Sequence, residues 1–494
     1  MKRLNALFAA SLLAGCTVGP DYEEASETVS LPETLSAGHF HRDDGLWKSA
    51  LPSDGLPRGD WWAVFGDETL NALLKECAEN NPDLAAAYQR VEQAREAALV
   101  QKSDFYPKLN ARASFSKTDY SKNMIPNNGR YDQWLAGFGI TWDLDLFGRV
   151  QSLLAAEVAG AQARLAAYES LMLDMRANVA KAYFTLRRYK SEIDVLESTL
   201  EVRKLDTALV ERRVEMDYST QIDLKRAVQQ QHEAAAQLAD ARRMFALSHN
   251  YLALLVGKAP AELGVRILPL GENFPAVPAA VPSELLERRP DIAEAERGVF
   301  AANARAVAAQ AAFFPTVSLT ANTDLSANKI EKLLNAGSFA WGISPQIYLP
   351  IFEAGRNIAQ KRVALAAHRE ALENYRSKVL AAVREVEDAL SGIAHLAEEY
   401  AKRREVVRAS ADVCRMARIQ YDQGYTDYFS VSEAQRQELS NARELIVLRG
   451  ERYNACVDLI SSLGGGWKLG EPAPESAGRN TGEDFGQSDL LPAM

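Results

Sequence analysis

Side chains able to do chemistry are few in this chain, and they are scattered. Six histidines occur, His39, His41, His232, His249, His368 and His395, and none stands in an HExxH arrangement. No GxSxG elbow or Walker loop is present either. His39 and His41 have a spacing that a metal ion could use, but they sit in a segment of loop-like composition. Gly464, Gly465 and Gly466 follow a helical stretch and read as its stop rather than as a phosphate loop. Cys77, Cys414 and Cys456 form no CxxC pair, so neither a disulfide framework nor a metal site is expected. Eight methionines without clustering give no soft-metal relay. The chain is expected to be no enzyme and to carry no cofactor.

The fourth cysteine is different. Met1-Lys2-Arg3 supplies a basic start, and residues 4–14 form a mostly apolar run too short to span a bilayer. Leu13-Ala14-Gly15-Cys16 then resembles a bacterial lipobox, which implies a signal peptide over 1–15 and acylation of the Cys16 thiol, as by palmitate. Thr17, in place of an aspartate, points to the outer membrane. A single acyl anchor holds weakly, so a further insertion signal should exist.

Composition narrows the partners. Hydrophobic residues make up 47% and charged residues 25%, with a formal charge of −10. Losing Lys2 and Arg3 with the leader makes the chain more acidic still, which argues against nucleic acid. No apolar run reaches the length of a transmembrane helix.

Positioning elements are visible as an internal repeat. "NPDLAAAYQ" begins at Asn81 and "RPDIAEAER" at Arg289, and Pro82 and Pro107 recur as Pro290 and Pro315. Gly148-Arg149 recurs as Gly355-Arg356, and Val256-Gly257 as Leu463-Gly464. Two copies of one unit are expected, at 61–260 and 289–467, joined by a linker at 261–288. The segment 16–60 is a lipidated N-terminal stretch, and 468–494, rich in Pro, Gly, Ser and acids, is a disordered tail.

Each unit carries a coiled-coil seam. Leu165, Tyr168, Met172 and Met175 open it in the first copy, Leu372, Tyr375, Val379 and Ala382 in the second. No proline interrupts the run from Gly148 to about Asp217, or from Glu353 to about Gln423, so each helix would be on the order of 100 Å long. Shorter helices near 82–104 and 219–256 would stack to a similar length. A tube wall of long helices beside stacked short ones fits this pattern. A solvated coiled-coil rod, such as a periplasmic adaptor or scaffold lipoprotein without a pore, fits the periodicity equally.

Four stretches of strict alternation, near 109–118, 135–146, 316–325 and 340–349, argue against a plain rod. They read as membrane-spanning β-strands, with Pro345 a blemish in the last. Four strands close no barrel, and open edges in hydrocarbon are too costly to persist. The chain must therefore oligomerise, as a dimer with eight strands or a trimer with twelve.

"GCTVGPDY", the paired "FYP" and "FFP", "DLFGR", "PIFEAGR" and the closing "LGGGW" together resemble the outer-membrane efflux lipoproteins. These are the nodulation-type branch of the TolC-like outer membrane factors, and the resemblance covers about residues 16 to 467. It implies a mainly α fold with β: a homotrimer with a long coiled-coil α-barrel and a transmembrane β-barrel, four strands per chain. It further implies the exit duct of a tripartite pump, exporting small molecules such as drugs. The partners would be a periplasmic adaptor, an inner-membrane transporter and outer-membrane lipid.

The same resemblance places the closed end at the periplasmic tip, in "YDQGYTDYFSVSEAQ". By position, Phe429 matches an apolar ring and Glu433 an acidic ring. Tyr421 matches a tyrosine that ties hairpins shut, with Asp223 as its acidic partner. The tips would also dock the adaptor, through Gly424, Tyr425 and Tyr218. Gly424 suits a tight reversal with positive φ. The first turn, Met216-Asp217-Tyr218-Ser219, lacks such a glycine and is expected to be shaped differently.

Overall fold

The computed structural model describes residues 61–119, 130–272, 274–275 and 289–465. Cys16, the leader, the segment 16–60, His39, His41 and the tail 468–494 lie outside the described residues. Helices α1 (Glu68–Asn80) and α2 (Pro82–Lys102) lead into strands β1 (Lys108–Asp119) and β2 (Arg130–Leu144). The long helix α3 (Arg149–Glu215) and its return α4 (Gln221–Val256) follow. The same succession then runs through α5 (Pro290–Ala311), β3 (Thr316–Ala327), β4 (Phe339–Tyr348), α6 (Arg356–Asp422) and α7 (Tyr428–Ser462).

Both α3 and α6 contain 67 residues, which makes each about 100 Å long. The shorter helices meet end to end. Asn81 caps α2 by accepting from the Asp83 and Leu84 amides, with Pro82 in the first helical position. Its amide nitrogen donates across to the Leu255 carbonyl at 2.8 Å, which joins the last turn of α4 to the first of α2. Arg289 does the same for α5, donating to the Ser462 carbonyl of α7 at 2.9 Å.

The main core lies where α1 wedges against α3, α4 and α7, around Trp61, Leu74, Phe184, Leu252 and Ile460. Asp67 anchors it, accepting from Tyr183 Oη at 2.9 Å and from Arg187 at 2.5 Å. Burial pushes the Tyr183 hydroxyl up to about 12. The described part of the expected linker 261–288 is strapped down rather than loose. Arg187 donates to the Leu268 and Pro269 carbonyls, and the Leu270 amide donates to Ser191 Oγ at 2.8 Å.

The four strands form one antiparallel sheet in the order β1-β2-β3-β4. Strand β2 starts at Arg130 rather than at 135 and ends at Leu144 rather than at 146. The reason is pairing beyond the alternating stretch: Asp119 faces Arg130, and Lys117 pairs with Asp132 at 3.3 Å. Directly paired residues share a face. One face carries Leu109, Ile140, Ala321 and Ile343 on a single rung, and Ala111, Phe138, Thr323 and Trp341 on the next. Phe138, Ile140, Trp341 and Ile343 on that face are all exposed. The other face carries Asn110, Gly139, Asn322 and Gly342, then Arg112, Gly137, Asp324 and Ala340. An apolar sheet face with nothing packed on it among the described residues is the opposite of a soluble hairpin, which buries such a face. A solvated rod leaves this sheet without a purpose. Pro345 falls on β4, an edge strand of the sheet, where the lost N–H is tolerated. Among the described residues no helix is long and apolar enough to cross a membrane.

Candidate functional site: the two helical tips

Opposite the sheet, each long helix reverses into its return helix through a short turn. At the second tip Gly424 takes φ +80°, a left-handed conformation that closes the helix. The Tyr425 amide donates back to the Gln420 carbonyl at 2.8 Å and the Gly424 amide to Tyr421 at 3.1 Å. The first tip is built the same way, contrary to the expectation from its missing glycine. Asp217 takes φ +62°, and Tyr218 and Asp217 donate to the Arg213 and Val214 carbonyls at 2.7 and 3.1 Å. Aspartate visits the left-handed region more readily than most residues, which is why the turn survives without glycine. Tyr218 and Tyr425 project from the two turns, each 81% exposed.

The return helices begin with caps. Thr220 and Asp223 form a capping box on α4: the Asp223 amide donates to Thr220 Oγ1, and the Thr220 amide to the Asp223 carboxylate. On α7, Asp427 Oδ1 accepts from the Ser430 amide at 3.1 Å. These hydrogen bonds from Ser430 hold the Asp427 carboxyl below the ordinary aspartate range.

The first turns of α7 split into two faces at helical spacing. Tyr428, Val431, Ser432 and Gln435 are buried, whereas Phe429, Glu433 and Arg436 are exposed. Phe429 is 51% exposed, and the Arg226 guanidinium of α4 lies over its ring at 4.9 Å. Glu433 stands one helical turn on, on the same face. It is no bare acid: Arg436 donates to both its oxygens and holds the Glu433 carboxyl below the usual range.

Tyr421 and Asp223 are not brought together within the chain. One Asp223 carboxylate oxygen accepts from Ser219 and Thr220, and the other lies 3.9 Å from Arg226. Tyr421 packs edge-on against Tyr428 at 5.7 Å, under the Arg213 guanidinium at 4.5 Å. Its hydroxyl, like that of Tyr428, is buried with no hydrogen-bond partner among the described residues. Burial pushes the Tyr428 hydroxyl up to about 12.

A second tie between the hairpins lies further from the tip. Buried Arg203 of α3 donates to Gln435 of α7, which donates to Asp206 at 2.8 Å. Arg418 of α6 donates to the other Asp206 oxygen at 2.7 Å. Burial lowers the Arg203 guanidinium below its ordinary value. Arg203, Arg213, Arg226 and Arg436 escaped the sequence reading. The Glu433–Arg436 and Asp223–Arg226 spacings are i, i+3 pairs that a sequence can show, while Arg203, Arg213 and the placement of Arg226 over Phe429 depend on tertiary contact.

Among the described residues no group of three or more His, Cys, Asp or Glu could hold a metal ion.

Comparison with known proteins bears on the chain as a whole. The family model described as outer membrane efflux protein matches residues 73–258 and 281–465. The solvent efflux pump outer membrane protein SrpC of Pseudomonas putida is 31% identical over 468 residues, covering 94% of this chain and 98% of the relative. The cation efflux system protein CusC of Escherichia coli (strain K12) is 30% identical, covering 92% and 97%. Among solved structures, the outer-membrane channel OprN matches with a TM-score of 0.79 at 29% identity, over 92% of this chain and 100% of that one. The chain belongs to the outer membrane efflux protein family.

Proposed function

We propose that the chain is the exit duct of a tripartite efflux pump and works as a homotrimer built from two internal repeats. Three sheets close a twelve-stranded barrel in the outer membrane, and the helices form a tube reaching into the periplasm. There the tips meet a periplasmic adaptor and an inner-membrane transporter, with Tyr218, Gly424 and Tyr425 at the contact. The cargo is small molecules such as drugs, and the transporter supplies the energy. Cys16 carries the lipid that supplements the barrel's hold on the membrane. Phe429 and Glu433 line the constriction at the tip, apolar rings resisting wetting and carboxylates biasing ions.

The observation that carries this reading is the sheet. Its apolar face is exposed, and β1 and β4 are edges without a strand partner among the described residues. Unpaired edges in hydrocarbon cost several kcal/mol per polar group, so the sheet calls for closure by other copies. Single-particle images of protein purified from outer membranes test it. A three-fold tube on the order of 130 Å long, a membrane barrel added to the helical length, is expected. A slender particle without a barrel would contradict the duct and favour a scaffold.

A further inference from the structure

On the polar face of the sheet, the rungs from Asn110 to Ser116 and their partners on β2, β3 and β4 are lined by Asn, Ser, Gln, Gly, Ala and Leu135. Two ionised residues interrupt this lining, and they meet. Arg112 on β1 reaches across β2 to Asp324 on β3, donating from Nε at 3.1 Å and from Nη2 at 2.6 Å. Asn322 adds a third bond to the same carboxylate at 2.6 Å.

Two strand spacings, about 9.6 Å, separate β1 from β3, and the side chain at the intervening position would ordinarily block the path. That position is Gly137, paired with both Arg112 and Asp324. A Cβ there would lie 2.2 Å from the Thr323 carbonyl and 2.3 Å from Asp324 Oδ1. The carboxylate therefore leans into the space that the glycine leaves. Asp324 is left with 8% of its side chain exposed, against 54% for Arg112. The pair is neutral overall, with its positive end outward.

We infer that Arg112 and Asp324 form a lumen-facing ion pair that sets the ion selectivity of the barrel end of the duct. The inference rests on the trimeric barrel, in which three such pairs ring the lumen. Fixed charges in a ring at a pore wall act directly on passing ions. Bidentate pairing keeps the ring neutral, with guanidinium edges presented to anionic groups on the cargo.

Reversal potentials across planar bilayers under a KCl gradient test this. The parent carries Phe429→Ala and Glu433→Ala, so that the tip does not mask the barrel. Arg112→Gln should shift the reversal potential toward cation preference and Asp324→Asn toward anion preference, and the double variant, which loses the exposed guanidinium together with its partner, should shift toward cations by less than Arg112→Gln alone. Should either single variant fail to insert, exchanging the charges (Arg112→Asp with Asp324→Arg) inverts the exposed end and must shift the potential toward cations. Pores with the parent's reversal potential in every variant would overturn the role of the pair alone. A parent that forms no pores would overturn the duct itself and the pair's role with it.

Discussion

At the first tip the chain turns on Asp217, at the second on Gly424, and the hydrogen bonds that close the two turns link corresponding atoms. What the backbone does is shared; what the side chains do is not. Where the second return helix presents Phe429 and Glu433, the first presents Ile222 and Arg226 at the corresponding places after the turn. Ile222 is exposed and Phe429 lies under Arg226. The first tip caps its helix with a hydroxyl, the second with a carboxylate. One hairpin frame thus serves two uses: Arg213 and Arg226 of the first hairpin lie over Tyr421 and Phe429 of the second, while Arg418 of the second reaches back to Asp206 of the first.

The most severe way to break this relation is to remove what joins the hairpins. Asp206→Ala removes the carboxylate that accepts from Gln435 and Arg418 and so unties the Arg203–Gln435 link from α6, and losses of about 1–3 kcal/mol are typical when a buried hydrogen-bonding group is left unsatisfied. A much lower thermal midpoint of the detergent-solubilised protein is expected. A midpoint equal to that of the unaltered protein would show that the network does not hold the hairpins.

A smaller effect separates the two turns. A Cβ on Gly424 meets nothing within 4 Å, so Gly424→Ala should cost only the left-handed conformation, about 1–2 kcal/mol. Asp217→Gly should act in the opposite direction, because that turn already bears some of this cost. Native-state hydrogen exchange of the tip amides reads both. Equal responses in the two tips would dissolve the distinction.

The caps give the smallest effect. Asp427→Ala and Thr220→Ala should each loosen their first helical turn by about 1 kcal/mol. Acid should discriminate between them. The Asp427 carboxyl is held below its ordinary range in the folded chain, so its contribution is present above the unfolded value and lost as pH falls through the folded one. The Thr220 hydroxyl does not titrate in this range. Below the ordinary aspartate range the Ser430 amide should therefore lose protection, while the Asp223 amide keeps its bond to Thr220.

Much of this was legible beforehand. The apolar seam from Leu165 onward and the absence of proline marked α3 and α6, and strict alternation marked the strands to within a few residues. Alternation stops where the hairpin becomes polar, so the extension of β2 to Arg130 could not be read from it. The first tip was misread because glycine was treated as the only residue for a left-handed position. The Thr220–Asp223 spacing is a capping signature, so the local role of Asp223 at the start of α4 was open to reading as well. Arg226 over Phe429 and Arg112 across Gly137 depend on strands and helices distant in sequence, and no local pattern announces them.

Single-channel conductance in a lipid bilayer tests the division of labour between the tips most directly. Phe429→Ala with Glu433→Ala should raise conductance several-fold, while Ile222→Ala at the corresponding place in the first tip leaves it unchanged. Unchanged conductance and ion selectivity in the double variant, or an equal rise with Ile222→Ala, would contradict a constriction carried by the second hairpin.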